Sequence, residues 1–351
     1  MKRILWLDAI KGYGIILVMM SHVDSIMPIG QYLFSLFIPL FYIASGYVMR
    51  DESFTSLIKK KTNRLLIPYL VYGIVLTTFY DIIKSSNNYQ GGIMFEWIGL
   101  IYSRFCFYPY GSNNNYYFMP IEADSTLWFL TSLFLGYICY KFLVYRYFHK
   151  YVNYIIFLTY LFLTAIFSYL SILLPWSLDV CFLVAIFMLI GNTLKRSKFF
   201  NESYKNKRLL FFTLVVCYIL LVYINGFSNL SVREYGSYGY TNIISILLFI
   251  ISGILYFIVV SWIFMNLKEW ILRLFSFFGR QSLRLMCIQL PVLFYLRKII
   301  RILDINNHIL SLILLNTLFI AISLLLSYII GKLIEYVLVR FNMKRSLLQY
   351  L

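Results

Sequence analysis

The chain is 351 residues long, 61% hydrophobic and 20% aromatic, with 13% charged residues, a mean hydropathy of +0.79 and a formal net charge of +17. That composition excludes a soluble globular domain and describes an all-α, polytopic integral membrane protein. The cationic excess then belongs to loops on one side of the bilayer, and nucleic acid is not an expected partner.

In chain order, Lys2 and Arg3 precede an apolar run as in a signal peptide, but Asp8 and Lys11 interrupt it and no small-residue cleavage site follows, so a retained helix is expected. Segments long enough to span fall at about 4–22, 31–49, 65–84, 125–145, 152–172, 176–194, 209–225, 242–264, 283–300 and 309–331. The pattern predicts ten helices, the ninth diluted by Arg284, Gln289, Arg297 and Lys298. No repeat or soluble insertion interrupts them, and residues 1–351 read as a single membrane domain. The five cysteines, Cys106, Cys139, Cys181, Cys217 and Cys287, lack metal-ligand spacing, so neither a metal site nor a disulfide framework is expected.

Alternate connections set the orientation. Those at 50–64, 141–150, 195–208 and 266–284 are rich in Lys and Arg, as are both termini, whereas 23–30 and 173–175 have none and 85–123 and 226–240 have only Arg104 and Arg233. The positive-inside rule therefore places both termini in the cytoplasm. One connection is discordant: after the ninth segment, Arg297, Lys298 and Arg301 fall on the outer side. The outer connection 85–123 combines Gly91-Gly92, Pro109, Asn113-Asn114-Asn115, Glu122 and Asp124 with aromatic residues, a composition that suits carbohydrate or an aromatic belt with turns.

The first segment carries Asp8, Lys11 and His22 on one helical face. Lys11 and His22 are separated by three turns and about 20°, with a rise of roughly 16 Å, and Asp8 lies one turn before Lys11. Alone, the histidine reads as interfacial and the other two as an ion pair at i, i+3; together they fit an inward-facing polar stripe, and ionisable groups in a membrane helix mark a site. Lys60, Lys61 and Arg64 cluster at the mouth of the third segment, where they either hold phosphate or simply follow the positive-inside rule. Ser45 and Gly46 in the second segment, and Trp128 opening the fourth, read as pocket walls or as packing devices and anchors.

These stretches, LDAIKGYGIILVMMSH (7–22), FIPLFYIASGY (37–47), KKKTNRLLIPYL (59–70), STLWFL (125–130) and FGRQSLRLMCIQLPV (278–292), resemble in order the signatures of the membrane-bound acyltransferase family 3. Lys11 and His22 resemble its basic-x10-His pattern, in the Lys form of the fucose 4-O-acetylase-like branch of sugar O-acetyltransferases. The resemblance implies an enzyme of a bacterial cytoplasmic membrane that moves an acyl group, usually acetyl from cytoplasmic acetyl-CoA, onto a hydroxyl of a surface or lipid-linked glycan. It implies His22 as general base or acyl-carrying nucleophile, Lys11 held by Asp8 on the donor path, and CoA phosphates on Lys60, Lys61 and Arg64. Ser45, Trp128 and Gln289 are candidate substrate contacts, Gln289 standing where family members often have histidine. Two departures bear on this: Lys11 offers a point charge instead of a bidentate fork, and Gln289 can only hydrogen-bond. The rival readings are a glycan or lipid transporter using the Asp8–Lys11–His22 stripe as a polar pathway, and an inactive scaffold. Association of copies of the chain is left open.

Overall fold

A computed structural model of the chain describes residues 3–23, 36–86, 126–144, 150–170, 174–201, 207–228, 242–302 and 308–340, with short stretches between 97 and 117 and at 230 and 235–236. Its helices are α1 (Leu5–Ser21), α2 (Phe37–Tyr47), α3 (Phe54–Lys61), α4 (Ile67–Ser86), α5 (Trp128–Leu143), α6 (Lys150–Tyr169), α7 (Leu178–Arg196), α8 (Lys207–Asn225), α9 (Asn242–Met265), α10 (Glu269–Ile302) and α11 (His308–Arg340). Every predicted segment falls on a helix. Among the described residues, five helices are long and apolar enough to cross a bilayer, at Tyr151–Tyr169, Pro175–Arg196, Arg208–Asn225, Ile243–Met265 and Ile313–Leu333. α2 and α5 are apolar but shorter, while α1, with 17 residues, carries Asp8 and Lys11.

Three local features differ from the expectation. The predicted cationic loop 266–284 is helical from Glu269, so the ninth segment belongs to a 34-residue helix with Pro291 inside it. Apolar residues at i, i+4 and i+7 (Ile271, Phe275, Phe278) give that stretch a packing face, and Arg273 pairs with Glu269 one turn back at 2.7 Å. Second, α3 lies within the predicted connection 50–64, started by Ser53, whose hydroxyl accepts from the Ser56 N–H at 3.3 Å. Third, the connection 85–123 contains an antiparallel ribbon, β1 (Tyr108–Tyr110) with β2 (Asn115–Tyr117), in which Tyr108 pairs with Tyr117. Gly91, Gly92, Asn113, Asn114, Glu122 and Asp124 lie outside the described residues.

The chain forms two compact units. The first comprises Met1–Met49 and Ile186–Ser327, the second Arg50–Ala185 and Tyr328–Leu351. In the first, α1 packs along α10 and also meets α2 and α9. Leu7, Ile10, Ile15, Met19, Tyr42, Phe249 and Phe257 fill its core. Where α1 meets α10 the contact is backbone to backbone: a Cβ on Gly12 would overlap the Phe275 carbonyl oxygen, and one on Gly279 the Asp8 carbonyl oxygen. Without a hydrophobic drive between helices in lipid, such close approach supplies the dispersion contact that holds them. In the second unit, Tyr160 donates to the Cys139 carbonyl at 3.0 Å, and the Cys139 and Cys181 sulfurs lie 3.3 Å apart as free thiols. Trp176 Nε1 donates to the Ile101 carbonyl at 2.7 Å, and Tyr69 donates to that of Leu100.

Candidate functional site

The first unit is organised by the seam between α1 and α10. Asp8 abuts Gly279 near one end, and at the other Arg297 Nη2 donates to the His22 carbonyl oxygen at 2.7 Å. Residue numbers rise in the same direction on both helices, so they run parallel. His22 is the C-cap of α1, its N–H closing on Met19 at 3.2 Å. The last carbonyls of a helix lack intrahelical donors and carry the negative end of its dipole. The last turn of α1 has no basic residue, and Arg297 supplies the missing cation from the neighbouring helix. The discordant Arg297 of the sequence thus has a structural partner.

Helical register sorts the other residues into two flanks of the seam. Measured from Gly12, Lys11 and His22 both lie roughly 90° to one side of α1, and Tyr13 about 100° to the other. Tyr13 packs into α9, its hydroxyl 3.1 Å from that of Tyr256 and its ring 5.5 Å from Phe264, and also meets Phe275 of α10 at 6.4 Å. On α10, Gln289 is turned about 80° from Gly279 toward this α9 side, whereas Arg280 and Lys298 are turned about 100° the other way. The flank of Lys11 and His22 is the more open one: both residues are half-buried there, and Arg280 and Lys298 are exposed. The structure therefore unites Lys11 and His22 on one flank and sets Gln289 on the opposite one.

The structure also places Asp8, Lys11, Ser45 and Gln289 among their neighbours. Neither Asp8 nor Lys11 forms a salt bridge or side-chain hydrogen bond with another described residue. Ser45 is buried in α2 beside Gly46, at which a Cβ would overlap the Met188 carbonyl oxygen of α7. Gln289 is fully buried at 0% exposure, and neither its Nε2 nor its Oε1 has a hydrogen-bond partner among the described residues. An unsatisfied buried amide costs about 1–3 kcal/mol. Gln289→Leu is accordingly expected to raise the melting temperature of the detergent-solubilised protein. A lowered melting temperature would mean that a bound water or ligand holds the amide.

In the second unit, α3 passes into α4 through a π-turn, Thr62–Leu66, with the Ile67 N–H reaching the Thr62 carbonyl. Pro68 explains it: without an N–H and with its ring directed at the Arg64 carbonyl, it cannot continue an i→i−4 ladder, and the widened turn relieves the clash. The turn displays Arg64 at the surface, three residues after Lys61. Lys60 pairs with Glu52 at 3.3 Å, and Lys141 donates to the Glu52 carbonyl at 2.7 Å. Lys61 is 9% exposed, its Nζ 3.4 Å from the centroid of the Tyr137 ring. Burial holds its ammonium below the usual lysine range, with Tyr137 opposing that shift and Arg64 and Lys60 adding to it. Trp128, 4% exposed, opens α5.

A model of the acyltransferase domain matches residues 4–332, nearly the whole chain. The chain belongs to the acyltransferase 3 family. No curated protein and no solved structure matches it. This acyltransferase is therefore a membrane enzyme, and the matched residues fall in both units. Sequence reasoning missed Arg297 as a partner of His22, because the bond joins residues 275 positions apart. It also missed Tyr137 beneath Lys61; the one available signal was an aromatic residue within a helix near the cationic connection.

Proposed function

We propose that this membrane acyltransferase moves an acetyl group from cytoplasmic acetyl-CoA to a hydroxyl of a surface or lipid-linked glycan, as a sugar O-acetyltransferase similar to the fucose 4-O-acetylase-like branch. In this reading all ten segments cross a bacterial cytoplasmic membrane with both termini inside, α1 being just long enough at roughly 26 Å. The observation that carries the reading is the placement of Lys11 and His22 on one open flank of α1, with the His22 main chain fixed by Arg297 at 2.7 Å.

His22 takes the proton of the acceptor hydroxyl as its oxygen attacks the thioester carbonyl; the C–O bond forms, the C–S bond breaks and CoA leaves as the thiol. Lys11, roughly 16 Å nearer the cytoplasmic end, orients the donor. Lys61 and Arg64 hold donor phosphates, and Lys60 joins them when it exchanges Glu52 for phosphate. The test is purified enzyme in nanodiscs given radiolabelled acetyl-CoA and bacterial envelope glycan. Label entering the glycan with release of one CoA thiol per acetyl is the expected result. Glycan movement across sealed vesicles without acetyl-CoA, and no label transfer, would establish a transporter instead.

A further inference from the structure

We propose that Cys139 and Cys181 form a peroxide-sensing dithiol, whose oxidation to a disulfide draws α5 away from the Lys60, Lys61 and Arg64 cluster and weakens the enzyme's hold on its donor. The last step rests on the reading of that cluster as the donor's phosphate site; the thiol chemistry and the movement of α5 do not.

Both sulfurs belong to the second unit, one on α5 and one on α7. They are free thiols 3.3 Å apart, and a disulfide of about 2.05 Å between them needs a closure of about 1.2 Å. The two are placed unequally. Cys139 is half-buried, whereas Cys181 is fully buried at 0% exposure. The Cys181 thiol donates to the Leu178 carbonyl at 2.9 Å, so in its contact with Cys139 the Cys181 sulfur accepts and presents a lone pair. The accessible thiol is the one to be oxidised, and the sheltered one is aimed to resolve it.

The oxidant is an alkyl hydroperoxide dissolved in the membrane. Cys139 Sγ, as the thiolate, attacks the terminal peroxide oxygen: an S–O bond forms, the O–O bond breaks, and the alkoxide leaves with the thiol's proton as the alcohol. The Cys181 sulfur then attacks the sulfenic sulfur. An S–S bond forms, the S–O bond breaks, and hydroxide leaves with the Cys181 proton as water. The two sulfurs together lose the pair of electrons that the peroxide gains.

Helical geometry turns the new bond into a displacement. Tyr137 and Lys141 lie about 40° apart on α5. Tyr137 covers Lys61 at 3.4 Å, and Lys141 donates at 2.7 Å to the carbonyl of Glu52, the residue that pairs with Lys60. Cys139 stands about 200° from Tyr137, on the other side of the helix. α5 is therefore held between the cationic cluster on one face and Cys181 on the other. A close-packed interior transmits strain, so drawing Cys139 toward α7 takes Tyr137 and Lys141 off their partners. Lys60, Lys61 and Arg64 then lose the preorganised geometry that favours phosphate binding.

The test treats the full-length enzyme, in nanodiscs of saturated lipid, with tert-butyl hydroperoxide. It reads the crosslink by peptide mapping, the rate at which an amine-reactive ester labels Lys61, and the dissociation constant of acetyl-CoA. The expected result is a disulfide between Cys139 and Cys181, faster labelling of Lys61 as Tyr137 withdraws, and donor binding weakened by about threefold or more. All of these should reverse with dithiothreitol and be absent in Cys139→Ala and in Cys181→Ala. Reversal is read on the unsubstituted protein, so the test does not depend on either variant folding. No crosslink at excess hydroperoxide, a crosslink that leaves Lys61 labelling unchanged, or a response that survives in Cys181→Ala overturns the proposal. So does oxidation that leaves the dissociation constant unchanged or lowers it. Reduced enzyme with no affinity for acetyl-CoA would instead remove the donor reading, and the labelling of Lys61 would then decide the switch alone.

Discussion

His22→Ala is expected to lower acetyl transfer by about 10²–10⁴-fold, the range that a positioned general base contributes, with the melting temperature changed little. The reason for separating the two effects is structural. The His22 main chain is tied into the first unit by its carbonyl, bound to Arg297, and by its N–H, closed on Met19. Both bonds survive truncation at Cβ, so α1 keeps its cap and its register along α10. Chemistry alone should be lost. Single-turnover measurement with saturating acetyl-CoA reads the chemical step directly, and undiminished turnover in this variant would remove His22 from the mechanism. His22→Gln refines the result. It keeps a hydrogen-bonding group of similar reach but cannot accept a proton near neutrality, so it should be as slow as alanine if the imidazole works as a base.

What the sequence revealed follows from the range of each interaction. The helices were legible because their apolar runs are local, and the Lys11–His22 stripe because helical periodicity is a property of one element. The continuity of α10 was obscured by Arg273, Arg280 and Arg284, whose charges read as a loop, although an amphipathic helix carries such residues readily on the face turned away from its packing partner. The flank assignment of Gln289 depended on which side of α10 faces α1, and that is decided by a glycine contact between residues 12 and 279. No pattern within either helix encodes it. Likewise the π-turn was implicit in Pro68 at the start of α4, but its consequence, Arg64 displayed beside a buried Lys61, appears only once Tyr137 is folded over the lysine. Local rules thus found the residues, and long-range packing decided which of them share a surface.

Lys61→Gln combined with Arg64→Gln is expected to weaken acetyl-CoA binding by about 10²-fold or more, since charge-assisted hydrogen bonds contribute roughly 1.5–3 kcal/mol each. Lys60→Gln should matter less, because Glu52 already neutralises that side chain at 3.3 Å. A distinctive pH dependence accompanies the double variant's loss. In the free protein burial depresses the Lys61 pKa; an incoming phosphate favours the ammonium and raises it again. The complex therefore binds more protons than the free enzyme across the interval between those two values. By linkage, affinity for acetyl-CoA is greatest below the depressed pKa and falls as pH rises through it, at a lower pH than an ordinary lysine would give. The same depression makes the unliganded fold more stable as pH rises through that interval, because the unfolded chain then holds the extra proton. Opposite pH slopes for donor affinity and for apoprotein stability, both flattened in Lys61→Gln, are the expected signature in calorimetric titrations. Parallel slopes, or an unchanged dissociation constant in the double variant, would mean that Lys61 and Arg64 serve topology and leave the donor phosphates to other residues.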